Sequence, residues 1–276
     1  MPKISIITIN LNNLKGLKRT MESVFEQTFT DYEYIIIDGC STDGSKELIE
    51  KNQNRFSYWI SETDKGIYNA MNKGILRATG AYLLFLNSGD YFYSKRVLMR
   101  MIENSNNEDI IYGNLMIDRG ERDKNEVKLY PQLLTFKYFF KGTLPHSSSL
   151  IKKELFTEVG LYNEENKVVS DWEFFLKAIC LFQASYQYVN LIVSCFHPDG
   201  ISSKRESVQI ILNEKQMILN KAFGAFLPDY QSAEKQKQIA VELSNSLNLY
   251  KNSRMHRFIE KVITLPVYKF FKSYTD

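Results

Sequence analysis

Residues 33–45 read Glu33-Tyr34-Ile35-Ile36-Ile37-Asp38-Gly39-Cys40-Ser41-Thr42-Asp43-Gly44-Ser45, an apolar run that stops at a carboxylate. A near-continuous apolar run marks a strand buried on both faces, as in parallel sheets covered by helices. A carboxylate at the carboxyl end of such a strand stands in the crevice where open α/β sheets hold ligands. Burying it there demands hydrogen-bond donors or solvent, and a nucleotide's base and ribose supply such donors.

The same pattern recurs on either side. Residues 4–9 form another β-branched run, closed by Asn10-Leu11-Asn12-Asn13. Leu17, Met21, Val24 and Phe25 then follow at the three- and four-residue spacing of a helix packed on a sheet. Residues 58–60 run into Ser61-Glu62-Thr63-Asp64-Lys65-Gly66, and residues 81–86 end in Asn87-Ser88-Gly89-Asp90. Polar residues close strands in any protein. Here Asp38, Asp64 and Asp90 recur at equivalent ends of one predicted sheet, which points to a shared ligand crevice.

The 276 residues, 44% of them hydrophobic, suffice for one large domain or a domain with an appendage. A net charge of +3 and the lack of a basic stripe with interleaved aromatics argue against a nucleic-acid partner. Cys40, Cys180 and Cys195 show no disulfide or metal spacing, which fits a reducing, cytoplasmic setting. The N-terminus enters the first strand directly, leaving no room for a signal peptide, and no apolar run is long enough to span a bilayer. The tail, residues 251–276, sets Lys251, Arg254, Arg257, Lys261, Lys269 and Lys272 against Glu260 and Asp276, mixed with aromatic and aliphatic residues. Such a segment suits the inner face of an anionic membrane; packing on the domain or in a homodimer remains the alternative. Residues 118–128 read as a solvated hairpin or loop, and residues 129–144 as core or acceptor groove.

Three carboxylates in the crevice suggest a divalent cation with a diphosphate, because Mg²⁺ and Mn²⁺ bind through one or two carboxylates plus phosphate oxygens. The first loop has no glycine-rich dinucleotide turn, and no Walker-type loop occurs.

Six motifs in order, Ile4-Ser5-Ile6-Ile7-Thr8-Ile9-Asn10, residues 35–45, residues 61–74, residues 83–90, residues 144–156 and residues 169–178, resemble the inverting family 2 glycosyltransferases with the GT-A fold. The resemblance covers about residues 1–205 and is strongest to enzymes of bacterial surface-polysaccharide synthesis. It implies a Rossmann-like mixed sheet flanked by helices: a nucleotide-binding half (1–110), an acceptor and catalytic-base half (111–205), and a helical C-terminal region (206–276). It further implies transfer of a sugar from a nucleotide diphosphate, with UDP favoured, to a saccharide or lipid-linked saccharide.

The resemblance also assigns residues. Thr8, Asn10 and Asp38 would line the nucleotide pocket; Asp64, Lys65, Asn69, Asn72, Asn87 and Ser88 would face the nucleotide and donor sugar. Asp90 would hold Mn²⁺ or Mg²⁺, with His197 as a candidate further ligand, since a neutral imidazole suits Mn²⁺. The family often carries Asp-x-Asp here; this chain has Asn87-Ser88-Gly89-Asp90, so Asp90 stands as a lone carboxylate beside a neutral Asn87 oxygen. His146 would lie on the acceptor side, and Ser202, Ser203, Lys204 and Arg205 would clamp the diphosphate when their loop closes. Asp171 matches the general base. Ser170 and Glu173 read as a capping box, which places Asp171 at the first helical position. The competing reading is a non-catalytic nucleotide-sugar binding or scaffold subunit, supported by the incomplete Asp-x-Asp.

Overall fold

The computed structural model describes residues 3–120, 124–198, 200, 204–251, 257, 258 and 261. Two compact units divide the chain, Met1–Lys215 and Gln216–Asp276. The first begins with strands and helices in alternation: β1 (Ile4–Asn10), α1 (Leu14–Phe25), β2 (Tyr32–Asp38), α2 (Ser45–Lys51), β3 (Tyr58–Ser61), α3 (Ile67–Arg77) and β4 (Tyr82–Phe85). These four strands pair in parallel in the order β3-β2-β1-β4, as their apolar runs predict.

The second half is less regular. It comprises β5 (Tyr91–Phe92), α4 (Val97–Glu103), β6 (Ile110–Ile117), β7 (Glu126–Lys128) and α5 (Phe136–Lys141), then β8 (Ser149–Lys152), α6 (Leu155–Glu158), α7 (Ser170–Cys180) and β9 (Tyr186–Phe196). The sheet continues β4-β8-β6-β9-β5, with β7 on β6. β8 is antiparallel to both neighbours and β9 is parallel to β6, which makes the sheet mixed.

Register sets the site. Asn10 pairs with Asp38, and Asp38 with Ser61, so three polar side chains end adjacent strands at one level. Behind them both sheet faces are closed. Ile4, Ile6, Tyr34 and Ile36 pack with Leu17, Met21 and Val24 of α1, while Ile7, Ile35 and Ile37 are equally buried. Burying each such side chain is worth about 1.5–3 kcal/mol, which makes this half a rigid platform.

Two sequence expectations need correction. The strand expected over residues 110–112 runs on to Ile117, although Gly113 and Asn114 are poor strand formers. Pairing with β9 overrides propensity: its register shifts at these two residues, and a Cβ on Gly113 would stand 2.7 Å from the Leu191 carbonyl oxygen. The capping box is also absent. Helix α7 starts at Ser170, one residue early, and its N-cap, Val169, makes no side-chain cap bond. The Ser170 hydroxyl donates to the Asn163 carbonyl, and Glu173 accepts from the Asn166 amide, so both brace the preceding loop.

Helix α8 (Ser207–Phe223) runs into the second unit, which continues with the largely exposed α9 (Leu227–Lys251). No helix among the described residues is long and apolar enough to cross a membrane. The tail's expected surface or dimer role falls on residues 251–276, of which only 251, 257, 258 and 261 are described.

Candidate active site

At the ends of β1, β2 and β3 the Asp38 carboxylate is fully buried. Oδ1 accepts from Asn10 Nδ2 (2.8 Å) and Ser41 Oγ (2.6 Å); Oδ2 accepts from the Ser41 N–H (2.9 Å) and Ser61 Oγ (2.6 Å). Burial alone would raise its pKa, but these donors outweigh burial and hold it below the ordinary carboxylate value. Asp38 is thus satisfied by the protein and organises the crevice floor. Among the described residues the Oδ1 atom of Asn10 is buried without a partner. Asp64 is bound by Lys73 Nζ at 2.6 Å, and its Oδ2 stands over Gly39.

The loop after β4 is held from α1. Asn13 donates to the Ser88 carbonyl, Thr20 Oγ1 donates to the Asp90 carbonyl (2.6 Å) and accepts from the Gly89 N–H, and the Arg19 guanidinium donates to the Gly89 carbonyl. Gly89 has φ +109, a conformation that favours glycine, so this loop shape conflicts with a carboxylate-bearing residue at that position. Arg19 also donates to Asp118 Oδ2 (3.2 Å) and stacks on Tyr91 (4.4 Å), and the Tyr91 hydroxyl donates to the same Asp118 oxygen. His197 Nδ1 donates to the Asp118 carbonyl at 2.9 Å, which leaves Nε2 as the lone-pair nitrogen of a neutral ring.

A second polar chain crosses to α7. Tyr68, on α3, donates to Asp171 Oδ1 (3.1 Å), which also accepts the Trp172 N–H (2.9 Å). His146 Nδ1 donates to Asp171 Oδ2 (3.0 Å), and His146 Nε2 lies 3.2 Å from Asn87 Nδ2. Burial raises the Asp171 pKa, but the His146 hydrogen bond and charge, with the Trp172 and Tyr68 donors, bring it below the ordinary value. Burial lowers that of His146, yet the Asp171 bond and charge, with the charge of Asp90, lift it above the ordinary imidazole value. Each carboxylate oxygen offers about two lone-pair sites. Oδ1 of Asp171 uses both, whereas Oδ2 keeps one free among the described residues.

Several of the other expected site residues bond within the protein. Thr8 is fully buried, with its hydroxyl on the Leu86 carbonyl (2.7 Å) and 3.0 Å from Tyr34 OH. Asn72 is 4% exposed and bonds both the N–H and the carbonyl of Tyr162, while Asn69 and Asn72 both donate to Glu164. The backbone N–H of exposed Lys65 donates to Asn69. Lys204 and Arg205 are exposed ahead of α8, and the expectations for Ser202 and Ser203 fall outside the described residues. Sequence reading missed Arg19, Thr20, Tyr68 and Asp118. Thr20 left one signal, a lone hydroxyl within the apolar stripe of Leu17, Met21 and Val24. Arg19, Tyr68 and Asp118 left none, because their partners lie far away in the chain.

Among the described residues no group of three or more His, Cys, Asp or Glu side chains is arranged to hold a metal ion. The donors in the β4 loop nevertheless suit a cation that arrives with a diphosphate. Asp90 is 6% exposed, and the neighbouring Asn87 Oδ1 is a buried oxygen without a hydrogen-bond partner among the described residues. One carboxylate and one neutral oxygen match the few protein ligands Mg²⁺ or Mn²⁺ takes beside phosphates.

A parallel β3-β2-β1-β4 half joined through antiparallel β8 to a second half, with polar residues gathered at the strand ends, is the GT-A architecture of nucleotide-sugar transferases. Residues 5–160 match the family described as Glycosyl transferase family 2, and the chain belongs to that family. It is 29% identical over 224 residues to an uncharacterized glycosyltransferase of Mycobacterium tuberculosis, covering 78% of this chain and 83% of that one. It is 28% identical over 205 residues to a PGL/p-HBAD biosynthesis glycosyltransferase of the same organism, covering 72% and 78%. The fold is similar to S. aureus TarS residues 1–349 in complex with UDP, with TM-score 0.57 and 19% identity over 71% of this chain; the chain spans 60% of that fragment. It is also similar to a mannosyltransferase from Pyrobaculum calidifontis in complex with GDP-Man and Mn²⁺, with TM-score 0.57 and 12% identity over 93% of this chain and 82% of that one.

Proposed function

We propose that this chain transfers a sugar from a nucleotide diphosphate, UDP first among the candidates, to a hydroxyl of a saccharide or lipid-linked saccharide, with inversion. The observation that carries this reading is the chain Tyr68–Asp171–His146–Asn87, which ties a carboxylate with one free lone pair to the loop bearing Asp90. Solved relatives of the same fold hold UDP or GDP-Man.

Asp171 Oδ2 takes the proton of the acceptor hydroxyl as that oxygen bonds to the anomeric carbon. The bond from that carbon to the diphosphate breaks on the opposite face, and the configuration inverts. Tyr68 and Trp172 hold Oδ1, so the free lone pair of Oδ2 keeps a fixed direction. A carboxylate of low pKa is a weak base, which places proton transfer late, when the attacking oxygen has become acidic. Asp90 and Asn87 Oδ1 would hold Mn²⁺ or Mg²⁺, with Nε2 of His197 as a further candidate. Such an ion, when bound, offsets the negative charge that gathers on the departing diphosphate. The exposed Lys65 and Lys204 would supply positive charge toward the diphosphate.

Calorimetric titration with UDP, GDP and dTDP, each with and without Mn²⁺, followed by a donor-hydrolysis assay, tests the proposal. Binding strengthened by Mn²⁺ together with slow donor hydrolysis is the expected result. Binding of none of the three nucleotides would overturn it, and tight binding with no turnover for any donor and acceptor would favour a scaffold.

A further inference from the structure

The two ends of an amide side chain have nearly the same shape, so its hydrogen-bond partners decide where the oxygen lies. For Asn87 that decision traces back to Asp171. An ionised carboxylate only accepts, so His146 Nδ1, 3.0 Å from Asp171 Oδ2, carries the ring proton. Nε2 of the neutral ring then offers a lone pair, and Asn87 Nδ2, 3.2 Å away, donates to it. Oδ1 of Asn87 is thereby turned away from the ring, and among the described residues it is buried without a hydrogen-bond partner. Such an oxygen costs about 1–3 kcal/mol while it stays unpaired, a cost that a ligand there removes.

Both sides of this contact are held in place. His146 opens a single helical turn, His146–Ser148, ahead of β8. Ser148 Oγ lies 3.2 Å from the Asn114 carbonyl and 2.7 Å from Ser194 Oγ, which donates to Ser147 Oγ (3.0 Å). Ser149 Oγ donates to the Pro145 carbonyl (2.7 Å), and all four serines are buried. The ring is thus seated against β6 and β9. On the other side, Asn87 and Asp90 stand at the two ends of one turn, closed by the Asp90 N–H donating to the Asn87 carbonyl (2.9 Å), with Gly89 at φ +109.

We infer that His146 is a positioning residue for the donor's divalent cation: by accepting the Asn87 N–H it holds Asn87 Oδ1 free for the ion. This rests on the proposed transfer, in which Asp90 and Asn87 Oδ1 hold Mn²⁺ or Mg²⁺ beside the diphosphate. A carboxylate presents oxygen at both ends, whereas an amide presents it at one. A site built from one carboxylate and one amide therefore needs a partner that orients the amide, and such partners weigh heavily on metal affinity.

Two substitutions divide the two contacts of the ring. In His146→Asn the amide nitrogen takes the place of Nδ1 and still donates to Asp171, but nothing reaches Asn87. In His146→Gln the amide oxygen takes the place of Nε2 and still accepts from Asn87 Nδ2. The full chain is titrated calorimetrically with UDP, once in saturating Mn²⁺ and once in EDTA, and the gain in affinity given by Mn²⁺ is read. His146→Asn is expected to cut that gain about tenfold, as loss of an orienting partner does, and to leave the affinity in EDTA at the wild-type value. His146→Gln keeps most of the gain. Asn87→Ala loses it, and adding His146→Asn to Asn87→Ala lowers it no further, because both act through one contact. An undiminished gain in His146→Asn, an equal loss in His146→Gln, or a further loss in the double variant would overturn the inference. A full gain in Asn87→Ala would do so as well, even where His146→Asn does not fold. A wild type that binds UDP with no gain from Mn²⁺ overturns the inference alone; one that binds none of UDP, GDP and dTDP takes the transferase reading with it.

Discussion

His146 Nδ1 stands 3.0 Å from Asp171 Oδ2, and its Nε2 stands 3.2 Å from the Asn87 amide. In the neutral ring both contacts agree on one tautomer: Nδ1 carries the proton toward the carboxylate, and Nε2 accepts from Asn87 Nδ2. One imidazole thus joins the start of α7 to the loop after β4.

Replacing Asp171 by Asn removes the free lone pair of a charged oxygen yet keeps the side-chain shape. Transfer is expected to fall by about 10²–10⁴-fold, the usual worth of a general base, while nucleotide affinity stays close to wild type. Turnover and UDP calorimetry on the same sample check this. Retained turnover would remove Asp171 from the mechanism.

The same pair predicts a pH-dependent stability. His146 has a folded pKa above its ordinary value, so its contribution is complete below that value and fades as pH rises through the folded pKa. Asp171 has a depressed pKa, so its contribution is present above the ordinary carboxylate value and fades as pH falls through the folded one. Their attraction therefore operates between the two. Urea denaturation should show wild type exceeding His146→Gln by more at pH ~5.5 than at pH ~8.5. An equal margin at both pH values would refute the coupling.

Much of this was legible in the chain. Apolar runs closing in Asn10, Asp38 and Asn87-Ser88-Gly89-Asp90 announced strands and crevice, because strand burial and turn chemistry are local properties. The antiparallel insertion of β8 between β4 and β6 was not, since nothing within Ser149–Lys152 specifies its neighbours. The destination of Asn72 was hidden for the same reason: its partner, Tyr162, lies on a loop far along the chain. Ser170 and Glu173 satisfied a local motif, yet the 163–166 loop offered them nearer partners.

Tyr68→Phe tests whether orientation of Asp171 matters. The hydroxyl bonds Asp171 Oδ1 and helps keep its pKa low. Its loss should raise that pKa and shift the acid limb of kcat/KM upward, with kcat lowered about tenfold, the loss expected for one bond to a charged group, and donor KM unchanged. A pH–rate profile identical to wild type would make Tyr68 a packing residue only.

Asp38→Asn addresses the crevice floor. The amide nitrogen would confront two groups that now donate, at a cost of about 2–4 kcal/mol, lowering Tm by roughly 5–10 °C. Asp38 has a depressed pKa, so the stability it provides is present above the ordinary carboxylate range and is lost as pH falls through its folded value. The Tm gap should hold steady from neutral pH to about pH 4 and narrow below. Differential scanning calorimetry across pH decides it; a gap that widens on acidification contradicts the hydrogen-bond account.

Arg19 offers the sharpest separation of positioning from stability. One guanidinium spans the Gly89 carbonyl and Asp118 Oδ2, so it fixes the loop that carries Asp90 to the end of β6. The Arg19 side chain is 38% exposed, so the ion pair itself contributes less than about 1 kcal/mol to folding. The loop loses more than the fold does. Arg19→Met should therefore leave Tm within a few degrees of wild type, yet raise the donor KM about tenfold, the size of one charge-assisted contact, with a smaller change in kcat. Arg19→Lys should fail to restore the KM, because a single ammonium cannot reach both acceptors with the geometry of a planar fork. Restoration by lysine would mean that charge alone matters and that the Gly89 contact is incidental.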